Sequence, residues 1–486
     1  MTGWLDEQLG RITMYRLVLY CLIALAGMAL LLMFAGNVPY SPIGFLGSIA
    51  ISVGIAYGTN HLFGWLFGVR PHSESALITG IILSLLFVPP ESVLGFVKLG
   101  LIAAIAMASK YVLVVRGRHV FNPAAIAIVI ASISGLGYAG WWVATPGMIP
   151  ITIIAGILIL QRTKKQYVSL LFVIVAMASL FIQGTDPVTA LVSWPLLFIG
   201  AIMLSEPLTL PPRAWQQYVE ATIVGILMTV PLHYGRITMT PALALVIGNL
   251  IGWWFGQRRA IKLRYVGKKQ LNESVYEVLF DTQKLAFESG QYMELTLPHA
   301  QPDSRGQRRV FSIVGNPGDE QISIGTKLPA KPSSFKRALM NLKTGSTVYA
   351  TRIGGDFVLP NDPQVPVVCI AGGIGVTPYV SFAMNADRPI RLIYAVNNSD
   401  ELSFVDILKQ HTVDVVVVSQ DNATLPDPEW RHEQGVITTA VLRELIDVAK
   451  QPIVYISGPP AMVMNVRQMV RSLGIKHIKV DEFSGY

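Results

Sequence analysis

The chain has 486 residues, 52% of them hydrophobic and 14% charged, with a mean hydropathy of +0.49. Soluble proteins carry about 25% charged residues, so an ordinary cytosolic enzyme is excluded. Residues 1–257 hold 12 Lys+Arg and 7 Asp+Glu, whereas residues 258–486 hold 26 and 23, and the net +8 is spread over both parts, which gives no support to a nucleic-acid partner.

The first part reads as membrane. A spanning helix needs about 20 mostly apolar residues. Ten candidates follow in order, over 16–36, 44–66, 74–89, 92–114, 120–136, 147–161, 166–183, 190–206, 217–233 and 239–256. The short ones suit half-helices buried among others. The N-terminus carries Asp6 and Glu7 and no cleavable signal. Arg70, Lys110, Arg116, Arg118, Arg162, Lys164, Lys165, Arg213 and Arg258 follow the even-numbered spans; Arg236 is the exception. Positive loops face the cytoplasm, so the expectation is a multi-pass inner-membrane protein with both termini and the second half cytoplasmic.

The membrane part repeats itself. Gly80–Pro90 resembles Gly200–Pro212, and Asn122–Ile130 resembles Thr240–Gly248, at offsets of 120 and 118 residues. Five spans per repeat make an inverted repeat, with a site near the midplane where interrupted helices meet. The intramembrane polar candidates are His61, Glu74, His119, Asn122, Asp186, Glu206 and His233, with Glu206 foremost.

Arg118–Ala125, Gly184–Thr189 and Leu204–Pro212 resemble the D subunit of the Rnf electron-transport complex and the related B subunit of the sodium-pumping NADH:quinone oxidoreductase. The resemblance implies ten helices in two inverted five-helix repeats, as in urea transporters, and a flavin within the membrane. In that family FMN is joined through its phosphate to a threonine of a Ser/Thr-Gly-Ala-Thr motif, which this sequence lacks. The nearest string, Val143-Ala-Thr-Pro146, makes Thr145 the candidate attachment point; a non-covalent flavin stays open. Asn122, Asp186 and Glu206 are the candidate membrane flavin site.

From residue 262 short alternating strands appear, such as Val275–Phe280; beyond 364, apolar strands at 365–371, 390–396, 413–418 and 452–457 alternate with helical stretches. The expectation is a small β-barrel over 258–362, then an α/β nucleotide-binding domain over 363–486. Ala371-Gly-Gly-Ile-Gly-Val-Thr-Pro378 follows a strand directly, so Gly372, Gly373 and Gly375 leave backbone free to approach a pyrophosphate, with Thr377 and Pro378 opening the helix. Arg309-Val-Phe-Ser312 combines an Arg for phosphate, an aromatic for a flat ring and a hydroxyl for a ring nitrogen. Ser333 or Ser334 caps a helix; Gly354, Gly355 and Phe357 form a turn; Ser457-Gly-Pro-Pro-Ala-Met462 ends the last long strand.

In this order and spacing these motifs closely resemble the ferredoxin–NADP reductase superfamily, so the chain reads as a fusion of two families. The resemblance implies that Arg309 binds the FAD phosphates, Val310 and Phe311 border the flavin, with Phe311 packing on the isoalloxazine, and Ser312 approaches N5. It implies that Lys327, Ser333, Ser334, Gly354, Gly355 and Phe357 complete the flavin site, and that Gly372, Gly373, Gly375, Thr377, Pro378, Gly458, Pro459 and Met462 receive NAD(P)H. Ser457 stands where the family often has Cys beside the nicotinamide. The terminal Tyr486 resembles the aromatic residue that covers the flavin; a plain tail is the alternative. Ser312, Ser457 and Tyr486 are the candidate catalytic residues. Asn397, Asn398 and Ser399 follow the second strand with no Arg or Lys for a 2′-phosphate, which favours NADH over NADPH.

The expected function is electron transfer from cytoplasmic NAD(P)H through FAD and a membrane flavin to an extracytoplasmic acceptor, a flavin-bearing protein or alternatively a quinone, with Na+ or H+ transport a coupled possibility. Haem is excluded because His61, His72, His119 and His233 make no spaced pair on one helix, and two cysteines, Cys21 and Cys369, cannot hold an iron–sulfur cluster or a disulfide framework.

Overall fold

A computed structural model describes residues 12–483 apart from 70, 116–117, 235–236, 257–260, 300–301, 304–305, 412 and 422–424. Tyr486 lies outside the described residues. The described chain divides into two compact units, one up to residue 259 and one from 260 onward.

The N-terminal unit is helical. Its helices are α1 (Met14–Phe34), α2 (Pro42–Leu66), α3 (Ser73–Leu86), α4 (Val93–Val112), α5 (Pro123–Ser134), α6 (Ile149–Thr163), α7 (Gln166–Ile182), α8 (Pro187–Ser193), α9 (Leu196–Phe198), α10 (Ala214–Leu227) and α11 (Pro241–Phe255). Four stretches, Met14–Phe34, Pro42–Leu66, Val93–Val112 and Pro146–Thr163, are long and apolar enough to cross a membrane. Local chemistry sets the ends. Ser41, Ser92, Asn122, Asp186 and Thr240 each accept a first-turn N–H, and Pro stands at the start of α2, α5, α8 and α11, where its missing N–H costs nothing.

The eighth expected span, 190–206, is not one helix. Pro195 ends α8, α9 follows, and a π-helical turn over Ile199–Met203 leads to Ser205 and Glu206. The order helix, two-stranded ribbon, proline-started helix occurs twice. β1 (Val114–Val115) and β2 (Arg118–His119) lie between α4 and α5; β3 (His233–Tyr234) and β4 (Ile237–Thr238) lie between α10 and α11.

The C-terminal unit holds two six-stranded sheets. The first is antiparallel in the order β8-β7-β10-β5-β6-β9, made of β5 (Ile261–Gln270), β6 (Val275–Asp281), β7 (Tyr292–Thr296), β8 (Arg308–Ser312), β9 (Gln321–Lys327) and β10 (Thr347–Gly354). The bridge Val314–Ser323 joins the segment after β8 to β9, so the sheet curls on itself around Leu263, Phe280, Met293, Ile313, Ile324 and Phe335. The short α12 (Ser334–Met340) precedes β10.

The second sheet is parallel in the order β14-β13-β12-β11-β15-β16. Its strands are β11 (Val367–Gly372), β12 (Ile390–Ala395), β13 (Val413–Ser419), β14 (Arg431–Gln434), β15 (Ile453–Gly458) and β16 (Ile478–Glu482), with α13 (Thr377–Asn385), α14 (Val405–Gln410), α15 (Thr439–Leu445) and α16 (Pro460–Ser472) between them. Alternate residues feed opposite faces: Cys369, Leu392, Val415 and Tyr455 on one, Val368, Ile370, Ile393 and Val416 on the other. Both faces are covered, which is why these strands read as continuous apolar runs. β14 and β16 are edge strands with charged sequences, and periodicity did not predict them.

Candidate functional site

The nucleotide end of the C-terminal unit is built where β11 and β15 stop. Gly372 ends β11, a 3-10 turn covers Gly373–Val376, and α13 begins at Thr377 with Pro378 in its first turn. Thr377 Oγ1 donates to the Ile374 carbonyl at 2.8 Å and is spent locally. A Cβ on Gly375 would lie 2.4 Å from the Ser457 carbonyl oxygen, so only glycine lets the turn pass β15. Gly373 has φ +53°, and a Cβ there would face open space. The turn is thus tight against the protein on one side and open on the other.

Ser457 is fully buried, and its Oγ has no hydrogen-bond partner among the described residues. Gly458, Pro459 and Met462 carry the chain into α16, with the Met462 sulfur against Gly372. In register with Ser457 on β16 stands Asp481. Burial, aided by the Glu482 charge, pushes the Asp481 carboxyl up to about 6. The Phe483 N–H donates to the Gly458 carbonyl at 2.9 Å. Asp481 and Phe483 adjoin the site and were missed from sequence, because a five-residue charged strand has no apolar period.

At the ends of β12 and β13, Asp421 Oδ2 accepts from the Ser399 N–H at 2.9 Å and the Ser399 hydroxyl at 2.8 Å, while Oδ1 is buried without a partner among the described residues. The Ser419 hydroxyl, then these Ser399 donors, lower the Asp421 carboxyl to about 2. Asp421 was also missed.

The flavin end is arranged differently. Arg309 is 4% exposed. Its Nη2 donates to Asp303 at 2.9 Å and its Nη1 to the Gly306 and Arg308 carbonyls, with the guanidinium 5.2 Å over the Phe335 ring. The expected phosphate ligand is therefore already engaged by an acid. Val310 points outward at 39% exposure, and Phe311 leans on Phe335 and the sheet core, with ring centroids 6.0 Å apart. Ser312 is buried, and its Oγ has no hydrogen-bond partner among the described residues; the same holds for Thr326 Oγ1 on β9.

Ser333 caps α12 by accepting from the Lys336 N–H, whereas the buried Ser334 hydroxyl accepts the Asp303 N–H at 2.9 Å and lies 3.0 Å from His299 Nε2. Lys327 is exposed, 3.8 Å from Glu401. Gly354 ends β10, and Gly355 (φ +114°) sits against the Tyr292 ring. Phe357 is not at the surface expected of a cofactor ligand. It is 7% exposed, stacked on Phe382 and edge-on to Tyr455, because the loop after β10 plugs the core beneath α13.

In the helical unit, Asn122 and Glu206 meet: Asn122 Nδ2 donates to Glu206 Oε2 at 2.8 Å. They border a cavity of about 60 Å³, also lined by Ser75, Thr79, Lys110 and Ser205. Lys110 Nζ donates to the Ser75 hydroxyl. That volume suits a few waters. Asp186 is not there; it is exposed and caps α8 by accepting from the Val188 and Thr189 N–H groups. Thr145 precedes a 3-10 turn with its hydroxyl buried and without a partner among the described residues, and it does not line the cavity. A flavin held jointly by Asn122, Asp186 and Glu206 does not fit this arrangement.

Residues 369–468 match the family described as oxidoreductase NAD-binding domain. The match falls within the C-terminal unit, on the parallel sheet and its glycine turn. A flavohemoprotein of Burkholderia sp. (strain TH2) is 27% identical over 233 residues, covering 46% of this chain and 58% of that protein. The reductase subunit of an aromatic O-demethylase from Amycolatopsis sp. is 32% identical over 197 residues, covering 37% and 55%. The chain thus spans little more than half the length of these curated relatives. Among solved structures, an Amycolatopsis cytochrome P450 reductase is 26% identical with a TM-score of 0.39, covering 46% of this chain and 70% of that one.

Proposed function

We propose that the chain is a membrane-anchored flavoprotein that takes electrons from NADH in its C-terminal unit and delivers them to an acceptor beyond the membrane. The observation that carries this reading is the turn at Gly373, open to ligand, beside the buried and unbonded Ser457 hydroxyl. A buried hydroxyl without a partner is costly unless a ligand completes it. The match of residues 369–468 supports a nicotinamide nucleotide as that ligand.

FAD is the partner cofactor. Bound FAD would accept the two electrons of a hydride together and release them singly. The unbonded Ser312 hydroxyl fits a polar atom of a flavin ring, and Val310 and Phe311 offer it an apolar border. Arg309 takes the diphosphate only by giving up Asp303, so Asp303 competes with the cofactor. Ser457 orients the nicotinamide, and Asp421 favours a ribose hydroxyl over a 2′-phosphate by charge, which supports NADH.

The acceptor is a flavin-bearing extracytoplasmic protein. A similar protein of Pseudomonas putida is named as the electron transfer component of toluate 1,2-dioxygenase, which supports a protein acceptor over a quinone. Proteoliposomes of known orientation test this, with NADH outside and a flavoprotein acceptor sealed inside. Reduction of the sealed acceptor without added quinone is the expected result. Reduction of lipid quinone alone would make the chain a quinone reductase, and no NADH oxidation with ferricyanide would overturn the reductase reading itself.

A further inference from the structure

Glu220 lies on α10 and is fully buried, and neither carboxyl oxygen completes an ordinary hydrogen bond among the described residues. It faces α11 at two glycines: Cβ atoms on Gly248 and Gly252 would each lie 3.3 Å from a Glu220 oxygen. The polar side chain turned toward it is Asn249, whose Nδ2 is likewise buried and completes no ordinary bond. Asn249 Oδ1 is committed elsewhere, accepting the Asn122 backbone N–H at 2.8 Å. Asn122 Nδ2 in turn donates to Glu206 at the cavity. Two asparagines, Asn122 capping α5 and Asn249 on α11, therefore stand between two carboxyls in the order Glu206, Asn122, Asn249, Glu220, with hydrogen bonds along the first two steps and Asn249 turned toward Glu220 at the last.

No cation neutralises Glu220 among the described residues. α11 and α5 carry no ionisable side chain. Tyr218 on α10 and Tyr167 on α7 are exposed. Lys165, before α7, donates to Gln217, one turn from Glu220. Lys110 lies at the cavity with Glu206. An ionised carboxylate with no completed hydrogen bond and no counter-ion is not tolerated in an apolar interior, so the group is carried as the neutral acid.

We propose that Glu220 is a proton-binding site of the helical unit that exchanges its proton through water with the cavity at Glu206, while Asn122 and Asn249 hold the two carboxyls in place. On release, the Glu220 O–H bond breaks, the proton passes to a water molecule admitted beside Asn249 and from that water to the Glu206 carboxylate or to cavity water, and Glu220 is left as carboxylate with Asn249 Nδ2 as its donor. No oxidant or reductant is needed. The asparagines orient the two carboxyls and couple them; the cavity supplies the water that carries the proton out.

Infrared spectroscopy of the full chain in detergent micelles tests this. The native chain at neutral pH is expected to show a neutral-carboxyl C=O band that is lost in Glu220→Gln, kept in Glu206→Gln and moved in Glu220→Asp. Gel filtration and the thermal midpoint report whether each variant folds; where Glu220→Gln does not, Glu220→Asp carries the assignment. Transfer to D2O is expected to shift the native band within minutes, and at least tenfold more slowly in Asn249→Leu. Absence of the band, or its survival in Glu220→Gln, overturns the site. A native band that does not exchange over a day overturns the link to the cavity. Loss of the band on adding Na+ at constant pH overturns the proton in favour of a metal cation.

Discussion

Two ends of the C-terminal unit prepare for ligands in opposite ways. At the nucleotide end the backbone is fitted and the polar groups wait: Gly375 is jammed against Ser457, Gly373 faces open space, and Ser457 Oγ has no partner. At the flavin end the charged group is already spent, because the buried Arg309 is paired with the half-buried Asp303. A buried guanidinium cannot be left uncompensated, so the protein supplies the anion itself. On the proposed function, the nucleotide end is open as it stands, whereas Arg309 at the flavin end must exchange one anion for another.

The largest effect expected from breaking this contrast is at Gly375. In Gly375→Ala the new Cβ meets backbone, not a flexible side chain, so the turn or β15 must shift. Overpacking of this kind costs about 1–3 kcal/mol. NADH oxidation with ferricyanide is expected to fall by roughly 100-fold, the order of loss that a shift of about 1 Å produces at a reacting centre. Retained NADH turnover in a folded Gly375→Ala chain would show that the turn does not hold the nucleotide.

Arg309→Ala tests the other end. It removes the guanidinium from Asp303, from two carbonyls and from the Phe335 ring. Loss of one member of a buried charged pair costs about 3–5 kcal/mol. The variant is expected to lose thermal stability even when stripped of flavin, and to bind less FAD when it is supplied. Asp303→Asn is expected to differ in direction: lower stability without flavin, but tighter FAD binding, because the competing anion is gone. Equal FAD affinity in native and Asp303→Asn chains would refute the exchange of anions.

A smaller effect is expected at Asp421. Its charge persists down to about pH 2, so it is an anion throughout the working range. Asp421→Asn is expected to narrow the NADH:NADPH preference in kcat/KM by roughly tenfold, or about 1.4 kcal/mol, chiefly by admitting NADPH. Steady-state kinetics with both nucleotides check this, and an unchanged ratio removes Asp421 from nucleotide choice.

Sequence made the parallel sheet and its glycine turn legible because both follow from local rules. Four apolar runs bounded by turn residues became β11, β12, β13 and β15, and Gly372–Gly375 sits where β11 ends. Elements whose character depends on distant packing were illegible. β14 and β16 are charged edge strands that exist through pairing with β13 and β15. Phe357 resembles a motif residue but fills the core under α13. Asn122 and Glu206 were singled out and do meet, while Asp186 only caps a helix. Glu220 was overlooked although it is a lone carboxylate in an apolar span, a signal that suffices by itself.

The smallest expected effect concerns Asp481, beside Ser457 on β16. Its folded carboxyl holds a proton up to about pH 6, whereas an unfolded Asp loses it near 3.9. Between these values the folded chain binds more protons than the unfolded one, so stability falls as pH rises through that window and levels off above it. The raised value therefore marks a group that opposes folding at neutral pH, by roughly 1–3 kcal/mol. Asp481→Asn is expected to stabilise the chain at pH 7 and to leave it unchanged at pH 4. The pH-dependent difference in thermal midpoint between the two chains measures this directly. The same comparison carries the site question further. A neutral dihydronicotinamide ring that excludes water beside Ser457 would raise the Asp481 carboxyl still more, so saturating NADH without an electron acceptor is expected to shift the window upward in the native chain. A window unmoved by NADH would separate Asp481 from the nucleotide end and leave its burial a matter of strand pairing alone.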